Sequence, residues 1–204
     1  MNITVRLEAE SDYGEVENLV REAFWDVYKP GCDEHLLLHN LRKTPAYIPE
    51  LHFLACIDRK IIGNIVYSKA CIKKNAHERF EVLCMGPLSV LPEYQHKGVG
   101  SLLLNESMEK ARQLNYKAII IFGNPGYYHR FGFKDAQSCN IATSDGQNFD
   151  AFMVLDISDN KLAGIEGRFF EDPAFHIDAG ELEEFEKLFP YKEKHITDTQ
   201  LKMD

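Results

Sequence analysis

The run Leu88-Ser-Val-Leu-Pro-Glu-Tyr-Gln-His-Lys-Gly-Val-Gly-Ser101 joins an apolar strand end to a proline break and then to two glycines that open an apolar helical stretch. A turn of this kind points several backbone N–H groups into one small volume, with the positive end of a helix dipole behind them. That combination binds phosphate or pyrophosphate. Gly98 and Gly100 leave room for a ligand to approach the backbone. The spacing is not that of a Walker loop, because Lys97 precedes its glycine instead of following it. A dinucleotide fingerprint is also excluded, since Leu103 stands where a third Gly or Ala is required. A second run, Gly123-Asn-Pro-Gly-Tyr-Tyr-His-Arg-Phe-Gly-Phe133, supplies two adjacent phenols. A phenol with a pKa of about 10 keeps its proton at neutral pH and can give it to a leaving group.

The elements that position these runs follow from hydrophobic period. Residues 3–7 alternate as a strand, and Asp12-x-x-Glu15 reads as the cap of a helix carrying Val16, Leu19, Val20, Ala23 and Phe24 on one face. After a turn at Pro30-Gly31, a shorter helix carries Leu36, Leu37 and Leu41 and is ended by Pro45 and Pro49. Residues 52–58 and 61–73 read as a hairpin across Asp58-Arg59-Lys60, and residues 80–90 as a further strand. The helix after Gly100 is expected to bury Leu102, Leu103, Met108 and Ala111. Residues 117–122 then form a parallel strand reached by a crossover. Strand pattern returns after Cys139, most clearly over 149–157. A last helix has Asp178 as N-cap, Glu181 as capping-box partner, a stripe of Leu182, Phe185 and Leu188, and Pro190 as its stop.

The pattern Gln95-x-x-Gly98-x-Gly100 after a Val-x-Pro strand end resembles the acetyl-CoA-binding signature of the GNAT N-acetyltransferase superfamily. Tyr128-His-Arg-Phe-Gly132-Phe133 resembles the Tyr-x-x-x-Gly-Phe that many of its enzymes carry, and the element order is similar to that fold over roughly residues 3–157. The resemblance implies an α+β fold of α/β/α layers, with a mixed central sheet and helices on both faces. It implies one domain over 1–204: a core at about 3–157, an appended strand and helix at about 160–190, and a polar, loosely held tail at 191–204.

The same resemblance implies acetyl-CoA as co-substrate. Its contacts would come from Leu88, Ser89 and Val90 at the strand end, from Gln95, His96, Lys97, Gly98, Val99, Gly100 and Ser101 in the loop, and from Asn124. The pyrophosphate would rest on the amides of residues 95–101, with a direct charge contact from Lys97, while amides around 88–90 polarise the thioester. Tyr128 is then the general acid, and Glu81 the candidate base. Glu34 and His35 lie in a region that walls the acceptor site in this family; their own pattern reads as solvated surface. Phe131 and Phe133 read as core anchors and Tyr127 as packing. The implied reaction is direct acetyl transfer to a primary amine of an unidentified acceptor, small molecule or protein. No Gly-x-Ser-x-Gly elbow suggests an acyl-enzyme instead. The alternative is a non-catalytic acyl-CoA-binding or protein-interaction module on the same fold.

Composition agrees with a globular chain: 204 residues, 45% hydrophobic and 27% charged. No apolar run approaches the ~20 residues of a membrane span, and no signal-peptide pattern is visible, so a cytoplasmic protein without membrane partners is expected. Five scattered cysteines without a C-x-x-C pair give no metal or disulfide framework. A net charge of −9 argues against nucleic acid and suits a cationic acceptor. A homo-oligomer is compatible with all of this.

Overall fold

The computed structural model describes residues 2–158, 162, 164–198 and 200. Three antiparallel strands make its centre: β2 (Phe53–Ile57), β3 (Lys60–Lys73) and β4 (Arg79–Val90), with β1 (Thr4–Leu7) on the edge beside β2. The crossover helix α3 (Val99–Gln113) returns the chain to β5 (Ala118–Phe122), which pairs with β4 in parallel. β8 (Phe152–Asp156) and β6 (Lys134–Asp135) complete the order β1-β2-β3-β4-β5-β8-β6. β7 (Ile141–Ala142) pairs in parallel with β9 (Gly167–Phe170), and β9 lies against Cys71–Lys73 of β3, the side that β2 leaves after Ile65. The sheet is mixed.

Helices cover both faces. Leu103, Leu104, Met108 and Ala111 of α3 pack on Leu83, Met85, Ile119 and Ile121. The residues between, Val82, Cys84 and Ile120, face the other way, onto Phe152 and Phe169, as the two-residue period of a strand requires. On that second face α1 (Tyr13–Phe24) and α2 (Glu34–Leu41) bury Val16, Leu19, Val20, Leu38 and Leu41 against Leu54, Ile61 and Val66. A short helix, α4 (Pro125–Tyr128), follows β5, and α5 (Ala179–Glu186) lies near the end of the chain. This is the expected layered α+β architecture.

Several local expectations change. Asp12 does not cap α1; its carboxylate takes Arg6 at 2.6 Å and the Ala9 N–H at 2.9 Å. Leu104, not Leu102, completes the buried stripe of α3, and Leu38 replaces Leu37 in α2. The α2 helix ends at Leu41, before either proline, where the Thr44 hydroxyl bonds the Leu41 carbonyl at 3.0 Å. Asp178 does cap α5 through the Glu181 N–H at 2.9 Å, but the Glu181 carboxylate accepts from Asn40 instead of closing a box. The helix stops at Glu186, ahead of Pro190.

The α5 stripe is aromatic. Phe185 is buried, whereas Leu188 is 75% exposed. Phe185 and Phe189 both lie against the His35 ring, at 5.4 and 5.2 Å. Beyond it the polar tail is held: Trp25 donates to the Glu193 carbonyl at 2.9 Å, and Lys192 meets Glu22 at 2.6 Å. The expected boundary at residue 160 lies outside the described residues. Phe169 of β9 is nonetheless fully inside the core.

Candidate active site

The site begins where two strands part. β4 and β5 pair only at Leu83–Ile119 and Cys84–Ile120. Beyond Cys84 one edge of β4 has no neighbouring strand among the described residues, so its backbone polar groups must find other partners. The same stretch carries a bulge: Tyr67 faces Met85 and Ile65 faces Leu88, so Gly86 and Pro87 stand opposite Val66 alone. A side chain on Gly86 would meet Val66 Cγ1 at 2.9 Å, which is why glycine fits there. The extra residue inverts the alternation. Leu88 and Val90 now face the α3 side, where Met85 also points, and Ser89 is turned inward and buried. Buried polar groups brace the bulge. Asn64 donates to the Pro87 carbonyl at 3.2 Å and accepts from His52 at 2.5 Å, and His52 in turn lies 2.8 Å from the Glu8 carboxylate. Burial works to raise the Glu8 pKa, but His52 and Arg42 together hold it below the usual carboxylate range.

The loop after β4 has the conformation its glycines suggest. The Gln95 side chain bonds the Val90 carbonyl at 3.1 Å, and its own N–H is used by Pro92 at 3.3 Å. His96 (φ 58°) and Gly98 (φ 85°) are left-handed, and the first bond into α3 runs from the Leu102 N–H to the Gly98 carbonyl. Among the described residues the N–H groups of 96–101 therefore have no backbone acceptor. Clustered at a helix N-terminus, they form a nest for an anion. The Lys97 ammonium, as distinct from its N–H, folds back onto the Glu93 carbonyl at 2.7 Å.

A cavity of about 510 Å³ lies between this loop and α4. Of the residues singled out in the sequence, Leu88, Val90, Gln95, His96, Gly98, Val99, Gly100, Ser101, Asn124 and Tyr128 line it, and Ser89 and Lys97 do not. The Asn124 side chain caps α4 by accepting the Gly126 N–H at 2.8 Å. Tyr128 stands edge-on to Tyr127 and Phe133, with ring centres 4.9 and 5.6 Å away, and its ring packs where any side chain on Gly123 would fall. Burial, helped by Tyr127, raises its phenol pKa well beyond the usual value, so it stays protonated at any working pH.

Four lining residues carried no expectation of a ligand-facing role: Tyr28, Tyr94, Tyr127 and Arg130. The Tyr127 hydroxyl lies over Gly100, 2.9 Å from where a Cβ would stand. The Arg130 guanidinium stacks on Tyr127 at 4.2 Å and reaches Ser101 Oγ at 3.5 Å. A cation two residues after Tyr128, on a helix facing the loop, was the available signal. For Tyr28 there was none, because it arrives from the α1–α2 connection.

The expected bases fare differently. Glu81 is exposed, paired with Cys71 in the far half of β4. Seven residues of strand, on the order of 23 Å, separate it from Leu88, and it does not line the cavity. His35 is not a surface residue either: it is fully buried, 2.8 Å from Glu186, and burial pushes its pKa down to about 4 against the pull of Glu186. Glu34 is half-buried, and burial pushes its carboxyl up to about 7; its charge is felt by Tyr28 at the cavity mouth.

That shift has a sign. A carboxyl with an ordinary value of 4.5 and a folded value of about 7 binds more protons folded than unfolded. Stability therefore falls as pH rises through that window, and the loss persists above it. Glu34→Gln is expected to melt higher than wild type at pH 8, with the gain gone at pH 4. Scanning calorimetry at the two pH values measures this, and an equal Tm at pH 8 contradicts it.

Comparison with known proteins places the same stretch of chain in relief. The model of a family described as "Acetyltransferase (GNAT) domain" matches residues 49–135, from just before β2 to the end of β6. The chain is 27% identical over 133 residues to an uncharacterised N-acetyltransferase, YjhQ, of Escherichia coli strain K12, covering 65% of this chain and 70% of that protein. It is 26% identical over 164 residues to the uncharacterised N-acetyltransferase YhbS of the same strain, covering 80% and 92%. The crystal structure of E. coli YhbS in complex with CoA superposes with a TM-score of 0.77 at 25% identity, over 87% of this chain and 93% of that one. A GNAT family acetyltransferase from Brucella melitensis, crystallised with acetyl-CoA, gives 0.68 at 25% identity, over 85% and 98%.

Proposed function

From the premise that the chain is an acyltransferase of the GNAT superfamily, we propose that it moves an acetyl group from acetyl-CoA directly to a primary amine. One observation carries this reading: the unpaired amides of residues 96–101 and the protonated phenol of Tyr128 face a single cavity. A binding-only module needs the first and has no use for the second. The two relatives crystallised with CoA and acetyl-CoA support the choice of donor.

In this reading the pyrophosphate rests on the amides of the loop, with Arg130 beside Ser101 adding a permanent positive charge. The thioester lies along the unpartnered edge of β4 near Leu88 and Val90. Backbone N–H groups there donate to its carbonyl oxygen, worth most as that oxygen gains charge. The amine nitrogen attacks the carbonyl carbon, a C–N bond forms and the C–S bond breaks. Tyr128 donates its hydrogen bond, and then a proton, to the departing sulfur. A dry site raises the thiol's own pKa as well, which brings the two acids closer together. For the proton lost by the nitrogen we assign Glu34, which is outside the cavity lining but acts on Tyr28 within it and has a pKa near 7 that suits a base at neutral pH; Glu81 is too far along its strand.

The test is calorimetric titration with CoA, followed by thiol release from acetyl-CoA across a panel of amines. Saturable CoA binding with amine-dependent thiol release is expected. Absence of CoA binding overturns the reading, and binding without release for any amine favours the non-catalytic module.

A further inference from the structure

A second cavity, of about 320 Å³, opens on the opposite face of the sheet, and we propose that it seats the acceptor: a cationic amine with an aromatic or bulky apolar body, its rings against Phe122 and Phe149 and its ammonium on Glu171. The size is that of a small-molecule site.

The placement follows from the strand period. In β5, Ile119 and Ile121 belong to the α3 side and Ala118 and Ile120 to the other, so Phe122 points away from the first cavity. The next residues, Gly123 and Asn124, lead directly back to it, and Asn124 is in its lining. The two cavities thus lie on opposite faces at the same end of β5, Phe122 lining one and Asn124 the other. Glu171 lies within electrostatic reach of Cys84, a member of the last β4–β5 pair. In this proposal the amine approaches the thioester from this face, past the point where β4 and β5 no longer pair.

The lining decides the chemistry. Phe122 and Phe149 are 43% and 48% exposed, yet Phe122 stacks on Phe149 at 6.1 Å and on the buried Phe152 at 5.1 Å, and Phe149 meets Phe152 at a tilt, 6.1 Å away. An aromatic floor this rigid favours a flat apolar group and, through the ring faces, a cation. Glu171 is half-buried and makes no hydrogen bond or salt bridge among the described residues; His176 acts on its charge without pairing with it. Burial pushes its pKa up while His176 at the rim opposes this; an incoming ammonium restores the carboxylate. Asp145, the other acidic group of the lining, has its carboxylate bonded by Thr143 at 2.5 Å, and the Arg168 guanidinium bonds the Thr143 carbonyl at 3.4 Å in the same turn. Arg168 thus acts on Asp145, and Lys73 lies over the Phe170 ring at 4.1 Å, which leaves Glu171, opposed only by His176, as the carboxylate open to an ammonium.

The proposal rests on the acetyltransferase reading for its direction of transfer, but the amine site can be tested without turnover. The probe is 2-phenylethylamine, titrated by calorimetry into the full chain loaded with CoA, with phenylacetate and butylamine as controls. We expect 2-phenylethylamine to bind, butylamine to bind at least tenfold more weakly, and phenylacetate not to bind. Glu171→Gln should weaken 2-phenylethylamine at least tenfold, and Phe149→Ala, at an exposed position that leaves the core intact, several-fold; CoA affinity should be unchanged in both. No binding of 2-phenylethylamine, equal binding of phenylacetate, or variants that bind as wild type would each overturn the site. Failure of CoA itself to bind strikes instead at the acetyltransferase reading, so the two failures are told apart.

Discussion

Tyr128→Phe is expected to fold, to bind coenzyme A as tightly as wild type, and to carry out acetyl transfer about 10²–10⁴-fold more slowly, the usual worth of a positioned proton donor. The ring does the packing. Its contacts with Tyr127 and Phe133, and its place over Gly123, are made by carbon atoms that phenylalanine keeps. The hydroxyl forms no hydrogen bond with protein among the described residues, so its loss leaves no orphaned partner inside the molecule. A structural role would show as a change in Tm with normal turnover; a chemical role shows as normal Tm with slow turnover. Single-turnover kinetics with a reactive amine measure the step itself, free of product release. Equal rates for the two proteins would remove Tyr128 from the mechanism. Because its pKa lies so far above neutrality, the rate should show no alkaline limb from Tyr128 between pH 6 and 9; any limb in that range belongs to the base or the acceptor.

What could be read from the sequence was what is local in the chain. The loop 95–101 and the Tyr128 motif are runs of adjacent residues whose backbone conformations follow from glycine, proline and helix start. The cavity contains both. The base could not be read that way. Glu81 sits on the right strand, but which residues of β4 reach the site depends on where β5 departs and on the bulge at Gly86-Pro87, and only pairing with β3 and β5 reveals either. That bulge also turns Ser89 away, although it lies between two lining residues. The Lys97 side chain is legible only in part for a related reason: its charge has a near acceptor in the Glu93 carbonyl. The α5 stripe failed at Leu188 because Phe189 lies beyond the last helical turn and takes over the contact with His35. Phe122 and Phe149 looked like ordinary strand residues; their shared exposed face appears only when β5 and β8 pair.

Gly98→Val and Gly100→Val are each expected to weaken coenzyme A binding at least tenfold, for different physical reasons. Gly98 holds φ at +85° with nothing within 4 Å of where a Cβ would lie. Space is free there, but a β-branched residue in that conformation is strained by about 1–3 kcal/mol, and the loop relaxes by turning its amides out of the nest. Gly100 is helical and unstrained; there a side chain would enter the volume between the amides and the ligand. It would also meet the Tyr127 hydroxyl at 2.9 Å, with Val90 and Leu88 at 3.8 and 3.9 Å. The Tyr127 contact is the tip of a side chain and can be removed, which makes a decisive control. If Gly100→Ala weakens binding only by displacing Tyr127, adding Tyr127→Phe restores it. If the new methyl group occupies the ligand's own place, the double variant stays as weak as the single one. We expect the second result, with Gly98→Val distinguished by a lowered Tm that Gly100→Ala does not share. Calorimetric titration of CoA into the four proteins gives the answer, and unchanged affinity in Gly100→Val would place the coenzyme somewhere other than this loop.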